Sequence, residues 1–367
     1  MKSGTPQPQY TYVQIRGKVY LCLQQNLAVL AWLLAIKGRA LGFGRESLMT
    51  TFENPWLLAS WLKNLLQYQF NIQKSDSRLE LPFYGNLCLL VNRGYKIFDL
   101  QRERVVKIFK DDVDMASIRS EIERVRNVGR YDFAPSVRRW DIEARWYEED
   151  YVNGSLITSS DMNIYSKNYY QYAAPCIERM IFCEDLQVTN VAEYVNNMMD
   201  VFLDRLLGDG SDRSSVRPIQ DFMHLIADDL CNAGDLRIHL ALSHGDFDHC
   251  PVLRTKQGIK VIDWEYMAYR SILFDLYNYF MVQLFWKDTV PGLVSEIDSA
   301  LSSLQARLAL RAPDVAESLR PLARAYRLLY YIERICSVVE VRGLDVQCMQ
   351  RWMDAFNGYE EMVAGVP

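Results

Sequence analysis

The chain has 367 residues, half of them hydrophobic and about a quarter charged, a composition that buries a core and excludes a disordered or low-complexity polymer. That length exceeds what one compact core holds and predicts two domains with an appendage. The formal net charge of −5 gives no global attraction for a polyphosphate backbone, so nucleic acid is not an expected partner.

The N-terminus is polar. Its first long apolar run comes late and lacks a small-residue cleavage site, so no secretory leader is expected. That run, residues 27–36, is about half as long as a bilayer span requires. Leu27, Leu30 and Leu34, then Trp56, Leu57, Trp61, Leu65 and Leu66 after a break at Gly38, Gly42 and Gly44, recur at helical spacing. This predicts a helical appendage over residues 1–78. Two readings of it fit: a cap packed on a neighbouring domain, or an interfacial anchor. In the second, Lys37, Arg39 and Arg45 meet anionic lipid and residues 27–45 make a peripheral membrane contact. Eight scattered cysteines without a CxxC pair predict reduced thiols and a cytoplasmic location.

From residue 79 the period changes to two. Segments 87–91, 95–100 and 104–109 are short and β-rich, with turns at Asn92-Arg93-Gly94 and Gln101-Arg102-Glu103, which predicts an antiparallel meander. Asp114 caps a following helix with Ile118, Ile122 and Val125 on one face, ended by Gly129. Strands at 136–142 and 145–151 lead into Val152-Asn153-Gly154-Ser155, a turn placed to act as a hinge. Beyond residue 155 the pattern is mostly helical. Thr189 or Asn190 caps a helix with Val191, Val195, Met198, Met199, Phe202 and Leu206 on its stripe, and further helices are expected at 219–231, 294–309 and 315–341.

The block from 240 to 275 carries the chemistry. It reads Ser243-His244-Gly245-Asp246-Phe247-Asp248-His249-Cys250-Pro251, then Lys260-Val261-Ile262-Asp263-Trp264-Glu265, then Phe274-Asp275-Leu276. One carboxylate follows a tight His-Gly turn and a second ends an apolar strand. A β-hairpin between them would bring both into one cleft. Phosphoryl transfer needs one carboxylate to accept the proton of an attacking hydroxyl and one to hold the magnesium that bridges the ATP phosphates.

These segments resemble the aminoglycoside phosphotransferase and choline kinase-like family of the protein-kinase-like superfamily, over roughly residues 80 to 340. The resemblance implies a two-lobed α+β fold: residues 79–154 form a nucleotide-binding antiparallel lobe with one helix, and residues 155–367 form a helical lobe with catalytic and metal-binding loops. It implies an ATP- and Mg2+-dependent kinase acting on a small-molecule hydroxyl. In it Asp246 is the catalytic base, His244 stands beside it in the catalytic set and, with Asp275, supports the loop, and Asp263 is the principal metal ligand. Val105-Val106-Lys107-Ile108-Phe109 resembles the strand whose lysine contacts the phosphates, and its partner glutamate is Glu121 rather than Glu123. Tyr151 and Val152, at the hinge, complete the expected nucleotide contacts. Two departures stand out. Pro251 occupies the position of the family's asparagine, so help for Asp263 is expected from Asp248 or Glu265 rather than His249. No GxGxxG run lies between Leu79 and Lys107, where only Gly85 and Gly94 occur. The many Tyr and Trp residues of the helical part favour a carbohydrate acceptor, and Pro251 motivates the alternative of a nucleotide-binding pseudokinase with a regulatory or scaffolding role.

Overall fold

A computed structural model describes residues 9–16, 18–26, 29–30, 78–157, 162–208, 213–248, 251–287, 290–342 and 345–365. They group into two compact units, one of residues up to 156 with 253–265, the other of 157–252 with the residues from 266 onward. Among the described residues the first holds antiparallel sheet with one long helix and the second is mostly helical, which is the expected α+β class.

In the first unit, strands β1 (Tyr10–Arg16), β2 (Val19–Cys22), β3 (Arg78–Leu81), β4 (Leu87–Val91), β5 (Gly94–Asp99), β6 (Arg104–Phe109), β7 (Val137–Asp141) and β8 (Trp146–Asp150) form one sheet. Its order is β3-β1-β2-β4-β5-β6-β8-β7. Alternation sorts the side chains onto two faces. Val13, Leu21, Leu87, Phe98 and Val105 build a cluster on one, and Tyr12, Tyr20, Cys88, Ile97 and Val106 build a cluster on the other. Helix α1 (Met115–Val128) turns Ile118, Ile122 and Val125 inward, and the Asp114 carboxylate caps it by accepting from the Ser117 amide at 2.7 Å. Strand β9 (Ser155–Leu156) belongs to a small second sheet with Val252–Thr255 and Gly258–Val261.

Two expectations change here. The helical reading of residues 1–78 is corrected at its start: residues 10–14, Tyr-Thr-Tyr-Val-Gln, alternate and are rich in aromatic and β-branched side chains, and they pair with β2 and β3 instead. The helices expected near 27–36 and 56–66 lie outside the described residues except Val29 and Leu30, and Leu30 is buried in the first cluster. Residues 253–265, expected in the second domain, pack with the first unit, since Leu253 pairs with Leu156 and the Val261 amide donates to the Phe133 carbonyl at 2.7 Å.

The second unit holds helices at Met162–Asn168, Ala174–Ile181, Val191–Gly208, Arg213–Cys231, Phe274–Trp286, Leu293–Ala309, Pro313–Leu319, Ala323–Arg342 and Val346–Ala364. A three-stranded sheet of Gln187–Asn190, Arg237–Ser243 and Ala268–Ser271 accompanies them. Asn190 caps the Val191 helix by accepting from the amides of Ala192 and Glu193. The single helix expected at 315–341 is two, because Pro321 has no amide to continue the first. Phe274–Trp286 is buried on nearly every side, the pattern of a central core helix. Among the described residues no helix is long and apolar enough to cross a membrane.

Gly94 opens β5 opposite Phe109, and a Cβ there would stand 1.9 Å from the Ile108 carbonyl oxygen. Gly94→Ala should therefore push β5 away from β6 and lower unfolding stability by about 2 kcal/mol or more, measured by denaturant titration.

Candidate functional site

The β5–β6 hairpin sets two lysines side by side. Lys96 and Lys107 are direct cross-strand partners, so both side chains leave one face of the sheet. Both are almost excluded from solvent, at 8% and 1% exposure. Removing an ammonium from water costs on the order of several kcal/mol unless a carboxylate meets it. Three carboxylates do so directly. Lys107 donates to Glu121 Oε1 at 2.5 Å and to Glu265 Oε2. Lys96 donates to Asp263 Oδ1 at 2.5 Å and lies 3.7 Å from the same Glu265 oxygen.

Helix α1 delivers Glu121 from its inner face, whereas Glu123 points to solvent. Glu121 is fully buried and its other oxygen is 3.4 Å from Arg93 Nη1, with the Tyr147 hydroxyl 3.5 Å from the first. Asp263 and Glu265 arrive on the segment after Gly258–Val261. The Trp264 indole anchors that segment by donating to the Val261 carbonyl at 2.7 Å and packing on Phe133. Asp263 sits at φ 66°, a left-handed conformation that Asp adopts more readily than most residues. Half of its side chain is exposed, against 16% for Glu265.

Electrostatics follows from this crowding. Burial works against the charge on Glu265, yet Lys107 and Lys96 overcome it and hold the carboxyl down at about 2. Burial likewise pulls Lys96 down, and Asp263, Glu265 and Glu149 outweigh it, leaving the ammonium well above the ordinary lysine value. Glu149 on β8 goes the other way: burial, assisted by Asp263 and Glu265 and opposed by Lys96 and Lys107, pushes its carboxyl up to about 7.

In the second unit, strand Arg237–Ser243 ends in the His-Gly-Asp turn. Gly245 has φ 85°, and a Cβ would stand 2.2 Å from the Tyr266 carbonyl oxygen, so the turn needs glycine. Asp275, at the start of the Phe274 helix, pins the turn by accepting from Ser243 Oγ at 3.1 Å and from the amides of His244 at 2.8 Å and Gly245 at 3.2 Å. His244 is completely buried, and its Nδ1 accepts from the Asp246 amide at 3.3 Å. That contact ties the His244 ring to the Asp246 backbone. Asp246 is half exposed and takes Arg334 Nη2 at 3.2 Å, while Arg334 Nη1 donates to the Gly245 carbonyl at 3.0 Å.

The remaining expected residues sort as follows. Glu265, expected among the metal ligands, is the carboxylate shared by the two lysines. The Asp248 amide donates to the Asp246 carbonyl, Pro251 is buried, and His249 and Cys250 lie outside the described residues. Tyr151 and Val152 line a pocket of about 1040 Å3 within the first unit, alongside Arg102, Arg104, Arg138 and Lys260. Among the described residues no three His, Cys, Asp or Glu side chains converge as a metal cage. Magnesium fits nonetheless, because it keeps waters and takes phosphate oxygens around one or two carboxylates, and Asp263 offers an accessible hard oxygen. Six large aromatics of the second unit, Tyr165, Tyr169, Tyr279, Tyr330, Tyr331 and Trp352, are core residues with at most 1% exposure, so for these packing and not sugar stacking accounts for the aromatic content, while Trp286 is 65% exposed.

Sequence reasoning missed Lys96, Glu149 and Arg334. Lys96 had a signal: it falls on the same alternating face of its strand as Phe98. The Glu149 carboxyl keeps its proton to about pH 7 in the folded chain and loses it near the ordinary 4.5 when unfolded. The folded state therefore binds more protons between those values, and stability declines as pH rises from about 4.5 through 7. Glu149→Gln should leave stability near wild type at pH 4.5 and raise it at pH 8 by up to about 3 kcal/mol, seen as a higher melting temperature at pH 8 only in paired thermal scans.

No family model matches this chain, and no curated protein matches it. Solved structures do. A choline kinase of Streptococcus pneumoniae is similar at 15% identity and a TM-score of 0.47, over 74% of this chain and 91% of its own. An ethanolamine kinase of Plasmodium vivax is similar at 12% identity and 0.49, over 74% and 80%. An aminoglycoside phosphotransferase crystallised with ADP and hygromycin B is similar at 14% identity and 0.42, over 80% and 97%. Likeness at this level transfers neither a substrate nor a residue role.

Proposed function

We propose that the chain is an ATP- and magnesium-dependent phosphotransferase acting on a hydroxyl of a small molecule. The observation that supports this best is the buried Lys107–Glu121 pair with half-exposed Asp263 in the same cluster. A lysine fixed between Glu121 and Glu265 is a rigid cation for a phosphate oxygen, and Asp263 offers a hard, accessible oxygen. Magnesium at Asp263 would supply the charge that neutralises the nucleotide phosphates.

Asp246 has the properties of the base. It is held on a turn pinned by Asp275 and His244, half open to solvent, and Arg334 fixes the orientation of its carboxylate. The acceptor hydroxyl gives its proton to Asp246 as its oxygen bonds to the γ-phosphorus, and the bond from that phosphorus to the leaving ADP oxygen breaks.

Purified chain should consume ATP with one member of a panel of choline, ethanolamine, aminoglycosides and sugars. Asp246→Asn should lower kcat at least about a hundredfold while leaving ATP affinity within a few-fold, and Asp263→Asn should weaken Mg·ATP binding as well. Turnover within a few-fold of wild type in both variants would refute the assignment. Magnesium-dependent ATP binding with no transfer to any acceptor or to water would mean a pseudokinase.

A further inference from the structure

We infer that Lys96 is a second phosphate-binding residue, paired with Lys107 across the β5–β6 hairpin, for the polyphosphate of the nucleotide. This rests on the phosphotransferase reading above. Three observations carry it. First, the two ammonium groups share one Glu265 oxygen, so they form a single cationic patch rather than two independent ion pairs.

Second, the two lysines differ in commitment. Lys107 is sealed between two glutamates, with Glu121 wholly buried and Glu265 only 16% exposed. The 2.5 Å partner of Lys96 is Asp263, whose side chain is half open to solvent. Lys96 is thus the ammonium on the accessible side of the patch. A phosphate drawn to a cation held by Asp263 would find the Lys96 ammonium beside that carboxylate.

Third, Lys96 raises the positive charge of the patch. Arg93 and Lys107 carry two positive charges against the three carboxylates Glu121, Glu265 and Asp263, and Lys96 makes it three against three, with Glu149 as a further carboxyl nearby. A divalent cation on Asp263 would then leave the patch more positive, by one charge, than it would be without Lys96. With no GxGxxG run between Leu79 and Lys107, a side-chain contact here would stand in for a backbone cradle.

The test is equilibrium binding of Mg·ATP, Mg·ADP and adenosine to wild type, Lys96→Met, Lys96→Arg and Lys107→Met, with melting temperatures recorded for each. Lys96→Met should raise Kd for Mg·ATP and Mg·ADP about tenfold or more, the loss expected for a charge-assisted hydrogen bond, while adenosine stays within about twofold. Lys96→Arg should recover most of the Mg·ATP affinity. Should Lys96→Met fail to fold, Lys96→Gln gives the same comparison. Equal losses for Mg·ATP and adenosine would make Lys96 structural and overturn the inference. So would unchanged Mg·ATP affinity in Lys96→Met beside a clear loss in Lys107→Met, which would leave the phosphotransferase reading standing. Wild type that binds no Mg·ATP would sink both.

Discussion

Two ammonium groups buried side by side set the terms for the first unit. Their cross-strand pairing is fixed by the β5–β6 register, and neither strand holds a carboxylate that meets them directly. Compensation has to come from elsewhere in the sequence: Glu121 from α1, and Asp263 and Glu265 from the 253–265 segment. Breaking one such contact leaves an uncompensated buried charge, costlier than losing a surface ion pair. The helix docks where it does partly because Ile118, Ile122 and Val125 are apolar, and partly because the position between them must bring an acid to Lys107.

The second unit solves a different problem with one buried acid. The His-Gly-Asp turn exposes two successive amides and a serine hydroxyl, and Asp275 accepts from all three. Burial raises the carboxyl above its ordinary value, and His244, its amide and Arg270 counter that rise. Asn278, one turn further along the same helix, donates to the Phe247 carbonyl at 3.0 Å and takes the Tyr330 hydroxyl. The core helix Phe274–Trp286 thereby holds both sides of the loop that carries Asp246. Rigidity at Asp246 comes from this backbone clamp, and its charge is balanced separately by Arg334.

Much of this was legible in the sequence, for identifiable reasons. The meander, the Asp114 cap and the helix face with Glu121 follow from local alternation and local hydrogen bonding, which one sequence contains. Glu121 separates from Glu123 because only the former shares the face of Ile118 and Val125. Lys96 was readable in principle, since a hairpin turning at Leu100–Glu103 pairs 96 with 107. The missed features are non-local. That 253–265 folds with the sheet depends on β9 and on Phe133, and Arg334 reaches Gly245 and Asp246 from a distant helix. The N-terminal strands were lost to a more conspicuous apolar run downstream of them.

The placement of residues 253–265 has a consequence for how the cluster is assembled. The chain leaves the first unit after 156, builds about a hundred residues of helix and strand, and returns for this one segment before leaving again. Everything up to 156 contains both lysines, Arg93, Glu121 and Glu149, but neither Asp263 nor Glu265. Without that segment Lys96 loses both its acceptor at 2.5 Å and the Glu265 oxygen at 3.7 Å, and Lys107 loses Glu265 and keeps Glu121. The ion cluster thus joins residues 167 and 158 positions apart. The Asp263 and Glu265 carboxylates reach it together, on a segment that the Trp264 anchor and the Val261–Phe133 hydrogen bond hold in one register. One strand end thus sets both the left-handed Asp263, turned half out to solvent, and Glu265 two residues later, turned in to the lysines.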